Sequence, residues 1–305
     1  MLEKSKYSII VPVYNSETSL QELFDQIQQY FTSIQTKFEV IFVDDGSADK
    51  SWEVLSEIKS QNFTSVIAIK LSQNYGQHNA TFCGLKHATG DFLITIDDDL
   101  QVLPSEIGKF IEKYNETNSE LIYGSYIKKK HSTLRNAGSQ SFNQAMFNSP
   151  REGSSFRMIT KDLAEKIILH FHNFVYIDEL LLWYTGDIAF ADVEHHERKY
   201  KQSGYSPLKL FKLAINIIIY YTTIPLKLMV YGGFLASLIS FIIGTRFIIR
   251  KIIFNVPLGY TSLIVAILFS TGMIMLCLGV IGEYISRIYK VQNHKPPYSI
   301  KTLLK

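Results

Sequence analysis

Cysteine is nearly absent from this chain. With only Cys83 and Cys277 in 305 residues, no disulfide framework is available, and neither thiol stands in a metal-ligand spacing. The polar part of the chain is therefore expected in a reducing compartment. Net charge is also scarce: 31 Lys and Arg against 28 Asp and Glu leave +3, so bulk electrostatics give no support to a nucleic-acid partner. The start lacks a secretory signal, because the apolar run after Ser8 is cut short at Pro12, and the N-terminal part is expected to stay where it is made. No internal repeat or low-complexity tract occurs. What is abundant is apolar residues, at 47%, which is high for a soluble globule, while 19% charge is too polar for burial in lipid throughout. The excess must be concentrated, and the length suits two domains or one with an appendage.

The concentration lies in the last third. Leu228 to Thr245 is 18 residues without a charge and Ile252 to Gly282 is 31, each long enough to cross roughly 30 Å of hydrocarbon. Two buried core helices are the alternative, but they would need a second polar domain that residues 283–305 cannot supply. Gly232, Gly233, Gly244, Gly272, Gly279 and Gly282 would let these helices, or copies of them, approach closely, so a homo-oligomer is expected. Eleven basic residues flank the pair on its outer sides, from Arg198 to Lys227 and from Arg287 to Lys305, against Arg246, Arg250 and Lys251 between the spans. That bias puts both termini in the cytosol. Pro207 to Thr222 alternates apolar residues with Lys209, Lys212 and Asn216, as a helix lying in the headgroup region does; a helix packed on the core is the alternative. The expected organisation is a catalytic domain over 1–206, an interfacial helix over 207–225, spans over 226–250 and 257–283, and a cytosolic tail over 284–305.

Upstream, strand-like runs at Ser8–Tyr14, Phe38–Asp45, Val66–Ser72, Asp91–Asp97 and Glu120–Ser125 alternate with helical spacing over Glu17–Ile34, Asp49–Gln61, Gln77–Ala88 and Pro104–Asn118. Such alternation predicts an α/β domain with a mostly parallel sheet, and such sheets bind ligands at the carboxyl ends of their strands. Those ends are polar here: Pro12-Val13-Tyr14-Asn15, Asp44-Asp45-Gly46-Ser47, Gln73 to Gln77, and Asp97-Asp98-Asp99-Leu100-Gln101. Asp97 and Asp99 are two apart and can turn towards one point while Asp98 faces elsewhere. Two adjacent carboxylates repel unless a cation lies between them, and Mg²⁺ is usually held by one or two carboxylates plus phosphate oxygens. The inference is a metal that grips a diphosphate. A solvated acidic turn is the alternative, and the polar ends of the neighbouring strands weigh against it. Asn74, Gly76 and Gln77 fit either a loop that meets phosphate with its backbone at a helix N-terminus or a plain cap.

In the order and spacing of SIIVPVYN, FVDDGSAD, NYGQHNAT and IDDDLQ, residues 8 to 126 resemble the family-2, GT-A fold glycosyltransferases. The whole chain, with two spans after the domain, resembles the polyprenyl-phosphate glycosyltransferases. The resemblance implies an inverting transfer from a nucleotide-diphosphate sugar, UDP favoured, to a polyprenyl phosphate at the cytosolic face of the inner (plasma) membrane, with Mg²⁺ or Mn²⁺ as cofactor. It implies that Pro12, Tyr14 and Glu17 line the nucleotide pocket, with Asn74, Gln77 and Asp98 also on the donor side, that Asp44 contacts base or ribose, and that Asp97, Asp99 and Gln101 hold metal and diphosphate, Asp99 counting as catalytic. Strand ends, a first-turn helix charge and an N-capped turn are the alternatives for Pro12 and Tyr14, Glu17 and Asp44.

Ser154-Ser155-Phe156-Arg157-Met158 matches a family segment in which an acidic residue commonly precedes Phe-Arg; here Ser155 stands in its place. Asp178, with Glu179 second, is then the expected acidic residue on the acceptor side, a helix N-terminal charge being the alternative. Arg198 to Tyr205 resembles the family's R-x-x-G-x-S-x-Y element with Lys201 for the glycine, so Arg198, Lys201, Ser203 and Tyr205, with Arg157, are expected to bind phosphate; a generic basic belt is the alternative. Lys128 to His131 reads as a lid or membrane-facing loop, and the adjacent His195 and His196 do not form a metal pair. A glycan hydroxyl as acceptor, and an inactive membrane scaffold, are the rival functions.

Overall fold

The run Lys6–Val13 (β1) is apolar on both faces and seven of its eight residues are buried, as expected for a strand in the middle of a parallel sheet. It pairs in parallel with Lys37–Asp44 (β2) on one side and Phe92–Thr95 (β4) on the other, and β2 pairs in parallel with Val66–Leu71 (β3). The register sets Val13 beside Asp44 and Ile10 beside Thr95, so these strands finish along one edge. In the computed structural model of the chain, the described residues are 5–126, 154–169, 176–196, 224–254, 259–292 and 296–305.

Helices Leu20–Ser33 (α1), Ser51–Gln61 (α2) and Gln77–His87 (α3) connect these strands. In α1, Leu20, Leu23, Phe24, Ile27 and Phe31 form the buried stripe, spaced as a helix face requires, and each such side chain contributes about 1.5–3 kcal/mol on burial. α3 lies so close to β1 that a Cβ on Gly84 would sit 2.4 Å from Ile10 Cγ2. Beyond β4 come Ile107–Thr117 (α4), Leu121–Tyr126 (β5), Arg157–Thr160 (β6), Lys161–Ile168 (α5), Ile177–Tyr184 (α6) and Ile188–Val193 (β7). β6 runs antiparallel between β4 and β5, with Arg157 opposite Thr95, while β5 and β7 are parallel. With Ile300–Leu304 as β8, the sheet order is β7-β5-β6-β4-β1-β2-β3-β8, mostly parallel as expected.

The eighth strand comes from the segment expected to be a tail. Ile300–Leu304 (β8) pairs antiparallel with β3, Ile300 beside Leu71 and Leu304 beside Ala68, and residues Pro296–Lys305 belong to the same compact unit as Met1–Ser203. An open β3 edge would offer unpaired backbone groups, and β8 covers it. The second unit, Gly204–Lys295, contains helices Ile224–Phe254 (α7) and Tyr260–Gln292 (α8). At 1.5 Å per residue the 31 residues of α7 extend about 46 Å. Leu226–Arg246 and Phe269–Ser286 have mean hydropathies of 1.9 and 1.4 and are not buried. Both helices are long and apolar enough to cross a membrane.

At the amino edge of the sheet Glu39 is buried, and its carboxylate accepts from Lys6 Nζ (2.6 Å), Ser8 Oγ (2.6 Å) and the Thr89 N–H (2.7 Å). Burial pushes its carboxyl up, but these donors outweigh burial and hold it below the usual carboxylate range. Such a group contributes stability above its unfolded pKa and loses it as pH falls through the folded one. Glu39→Gln is expected to cost about 1–3 kcal/mol at pH 7, with the gap in unfolding midpoint closing below about pH 4. A gap of equal size at pH 7 and pH 3 would show that the charge plays no part.

Candidate active site

At the end of β1 the chain turns sharply: Asn15 adopts φ 51°, its N–H donates to Ser47 Oγ (2.9 Å) and its Oδ1 accepts the Ala48 N–H (2.7 Å). Glu17 Oε2 accepts the Lys50 N–H (2.8 Å), and Asp49 accepts the Glu17 N–H (3.2 Å). Glu17 therefore holds the start of α2 and is not turned solely towards a ligand. Tyr14 is exposed and Pro12 buried. Asp98 stitches this loop to the end of β4, because its Oδ2 accepts from the Tyr14 N–H (3.1 Å) and the Ser16 hydroxyl, while Ser19 Oγ donates to its carbonyl (2.6 Å).

The next two loops are organised by an aspartate pair. Asp44 is fully buried; Oδ1 accepts the Ser47 N–H (2.9 Å), and Oδ2 lies 3.8 Å from Lys70 Nζ with no hydrogen-bond partner among the described residues. Asp45 Oδ1 and Oδ2 accept the Tyr75 and Gly76 N–H groups (2.7 and 2.8 Å). Burial pushes the Asp45 carboxyl up to about 6 against the pull of these amides. The next residue, Gly46, has φ +69°, and a Cβ there would meet Asn74 N at 2.7 Å. The loop expected to offer backbone amides to phosphate thus spends two of them on Asp45. Asn74 is exposed.

Asp97 is held from two sides. Gln77 Nε2, at the start of α3, donates to Oδ1 (2.6 Å), and Ser155 Oγ, just before β6, donates to Oδ2 (2.6 Å). The Thr95 hydroxyl donates to the Ser155 carbonyl and fixes that residue in turn. Burial pushes the Asp97 carboxyl up to about 6; Ser155 pulls it down, Asp99 and Asp98 raise it and Arg157 lowers it. Asp99 Oδ1 accepts the Gln101 N–H (3.1 Å), while Gln101 Nε2 points to the His196 carbonyl (3.3 Å) and its own carbonyl accepts the His196 N–H (2.8 Å). An adjoining cleft is lined by Asn15 to Ser19, Asp49, Asp98 and Asp99. A diphosphate entering beside so many carboxylates would be repelled without a cation.

Asp97 and Asp99 fit such a cation, since each hydrogen-bonded oxygen keeps a lone pair and two carboxylates with phosphate oxygens suit Mg²⁺ or Mn²⁺. No group of three or more His, Cys, Asp or Glu that could hold a metal ion occurs among the described residues. Next to Asp97, the buried Arg157 pairs with Asp178 Oδ1 (2.5 Å), which also accepts from the Tyr123 hydroxyl (3.2 Å). His78 packs against Tyr176 with the rings tilted by 58° and their centroids 4.6 Å apart, and burial takes its imidazole down to about 4. Glu179 is buried, with Oε2 lacking a hydrogen-bond partner among the described residues, and burial, then Asp178, raises its carboxyl.

A family model described as glycosyl transferase family 2 matches residues 8–182, more than half of the chain. The chain belongs to glycosyl transferase family 2. The GtrB C-terminal hairpin model matches residues 224–288 of this family-2 enzyme. The bactoprenol glucosyl transferase of Shigella phage SfV is 30% identical over 97% of this chain and 98% of its own length. The undecaprenyl-phosphate 4-deoxy-4-formamido-L-arabinose transferase of Klebsiella pneumoniae is 28% identical over 98% and 94%. Among solved structures, Staphylococcus aureus TarS 1–349 in complex with UDP-GlcNAc matches with TM-score 0.47 and 20% identity, covering 70% of this chain and 65% of that one.

In this family-2 enzyme the expected donor-side residues Asp97, Asp99, Gln77 and Gln101 gather at the carboxyl edge of the sheet. Asp44, Asp98 and Glu17 lie in the same loops, engaged by backbone or hydroxyl donors. Arg157 and Asp178 meet each other in an ion pair. Arg198, Lys201, Ser203, Tyr205, the segment Lys128 to His131 and most of the expected interfacial helix lie outside the described residues. Sequence reasoning passed over Asp45; the signal was its place before a glycine, facing a loop with a glycine of its own. Asp178→Asn leaves a buried guanidinium without its counter-charge and should cost about 3–5 kcal/mol of stability, seen as a lower unfolding midpoint without substrate. Unchanged stability with turnover lost would instead mark Asp178 as a base.

Proposed function

We propose that this glycosyltransferase moves a sugar from a nucleotide-diphosphate sugar, a UDP-sugar by preference, to a polyprenyl phosphate at the cytosolic face of a membrane. The observation that carries the reading is the presence in one chain of the Asp97–Asp99 edge and of two apolar helices matching the GtrB hairpin. Relatives named for undecaprenyl phosphate and bactoprenol align with 98% and 97% of this chain, both parts included.

On this reading Asp97 and Asp99 would hold Mg²⁺ or Mn²⁺, whose chemistry when bound is Lewis-acid neutralisation of the departing diphosphate. Gln77 and Ser155 keep Asp97 aimed. The acceptor oxygen attacks the anomeric carbon in line, inverting it. A phosphate monoester has its second pKa near 6 and is mostly ionised at neutral pH, so little is asked of a protein base, in keeping with Ser155 in place of an acid and with Asp178 bound to Arg157. Arg198, Lys201, Ser203 and Tyr205 are assigned to the acceptor phosphate. Residues before and after the helix pair share one unit, so two crossings would return the chain to the side it left, and the basic flanks make that side the cytosol. Copies of the chain are assigned to associate through the glycines of the two helices.

The test is transfer by the purified full-length enzyme from a panel of nucleotide sugars to polyprenyl phosphate and, separately, to the corresponding polyprenol. Transfer to the phosphate alone is expected, abolished by EDTA and restored by Mn²⁺ or Mg²⁺. Asp99→Asn should lower it by about 10²-fold or more. Equal transfer to the polyprenol would favour the hydroxyl-acceptor reading, and indifference to EDTA would remove the metal.

A further inference from the structure

β8 is made after both apolar helices, yet it sits at the edge of the sheet next to the strand that leads into the site. The Ser299 carbonyl accepts the Ser72 N–H (2.9 Å), and Ser72 opens the loop whose Tyr75 and Gly76 amides bind Asp45. One residue earlier, Tyr298 packs on the core cluster that contains Leu71, Phe82 and Cys83. Cys83 lies on α3, the helix whose first residue, Gln77, holds Asp97. The C-terminal segment therefore grips both ends of one device: the loop before α3 through Ser299, and α3 itself through Tyr298.

We infer that Tyr298 and Ser299 are positioning residues for the donor site, acting through Ser72 and α3 to hold Gln77 against Asp97. The consequence for function rests on the glycosyl-transfer reading above. It means that the donor site is complete only once the chain has passed through both apolar helices and returned. The effect is on where the loop stands, because the segment supplies no group to the cleft that Asp98 and Asp99 line.

The experiment uses the full chain, a variant with a stop codon after Pro297, and Tyr298→Ala. Hydrogen exchange is measured at Ser72 to Asn79 and, as an internal control, in β1 and β2. Both variants should lose protection at 72–79 while β1 and β2 keep theirs, and a synthetic peptide of residues 296–305 should restore protection in the truncated enzyme, as strand addition allows. In the transfer assay the KM for the donor should rise about tenfold with kcat little changed, the scale of one lost hydrogen bond to a positioned group. Unaltered protection at 72–79 would overturn the inference. So would a uniform loss across the sheet in Tyr298→Ala, which would reduce the segment to a general stabiliser and which also decides the matter should the truncated chain fail to fold. If the parent enzyme transfers no sugar, the functional reading fails, and the exchange data still decide the positioning role.

Discussion

Carboxylates at one end of a sheet have to be kept apart, aimed and ionised, and this requirement explains more of the structure than any other. Asp97 carries the cost most directly: burial and two acidic neighbours oppose its charge, and among the described residues Gln77 and Ser155 alone donate to its oxygens. These two donors come from opposite directions, one from a helix after β3 and the other from the antiparallel strand inserted beside β4. Neither would arrive without the sheet order β6-β4-β1-β2-β3. Asp45 and Asp98 spend their charge on backbone amides and a hydroxyl, which turns two of the acids into fasteners for the loops that frame Asp97 and Asp99.

The opposite edge shows what the same chemistry does when no ligand is expected. Glu39 is as buried as Asp45, but it is surrounded by Lys6, Ser8 and Thr89 and ends below its usual range, whereas Asp45, with two amides and an acidic neighbour, ends above. The amino edge is thus satisfied within itself. The carboxyl edge keeps acidic capacity in reserve, and a cation brought with a diphosphate would use it.

The five strands from β1 to β5 and the helices between them were legible because the apolar runs alternate with helical spacing and the first four stop at polar clusters, which is how a doubly covered sheet must be written. β6 and β7 were harder although they are no shorter than β4 and β3, because the antiparallel insertion of β6 depends on partners far away in sequence. β8 was not legible at all. Its residues, after two prolines and with alternating exposure, read as a tail, and only the open edge of β3 gives them a reason to be a strand. Within the site, Asp97 and Asp99 could be singled out by spacing, but the loss of the Tyr75 and Gly76 amides to Asp45 could not, since it requires two loops to meet.

The serine at position 155 ties the geometry to the choice of acceptor. Its hydroxyl faces Asp97 Oδ2 at 2.6 Å, so a carboxylate in its place would set two acids against each other unless one were protonated or a cation intervened. An enzyme that must deprotonate a sugar hydroxyl would gain from such an acid, since general-base help is worth about 10²–10⁴-fold. An acceptor that is already an anion gains nothing from it, and there a donor that steadies Asp97 is the better use of the position. The same reasoning covers Asp178, whose Oδ1 is committed to Arg157 and Tyr123. The side chains best placed to act as bases have been given to structure, and that is tolerable only where the nucleophile brings its own charge.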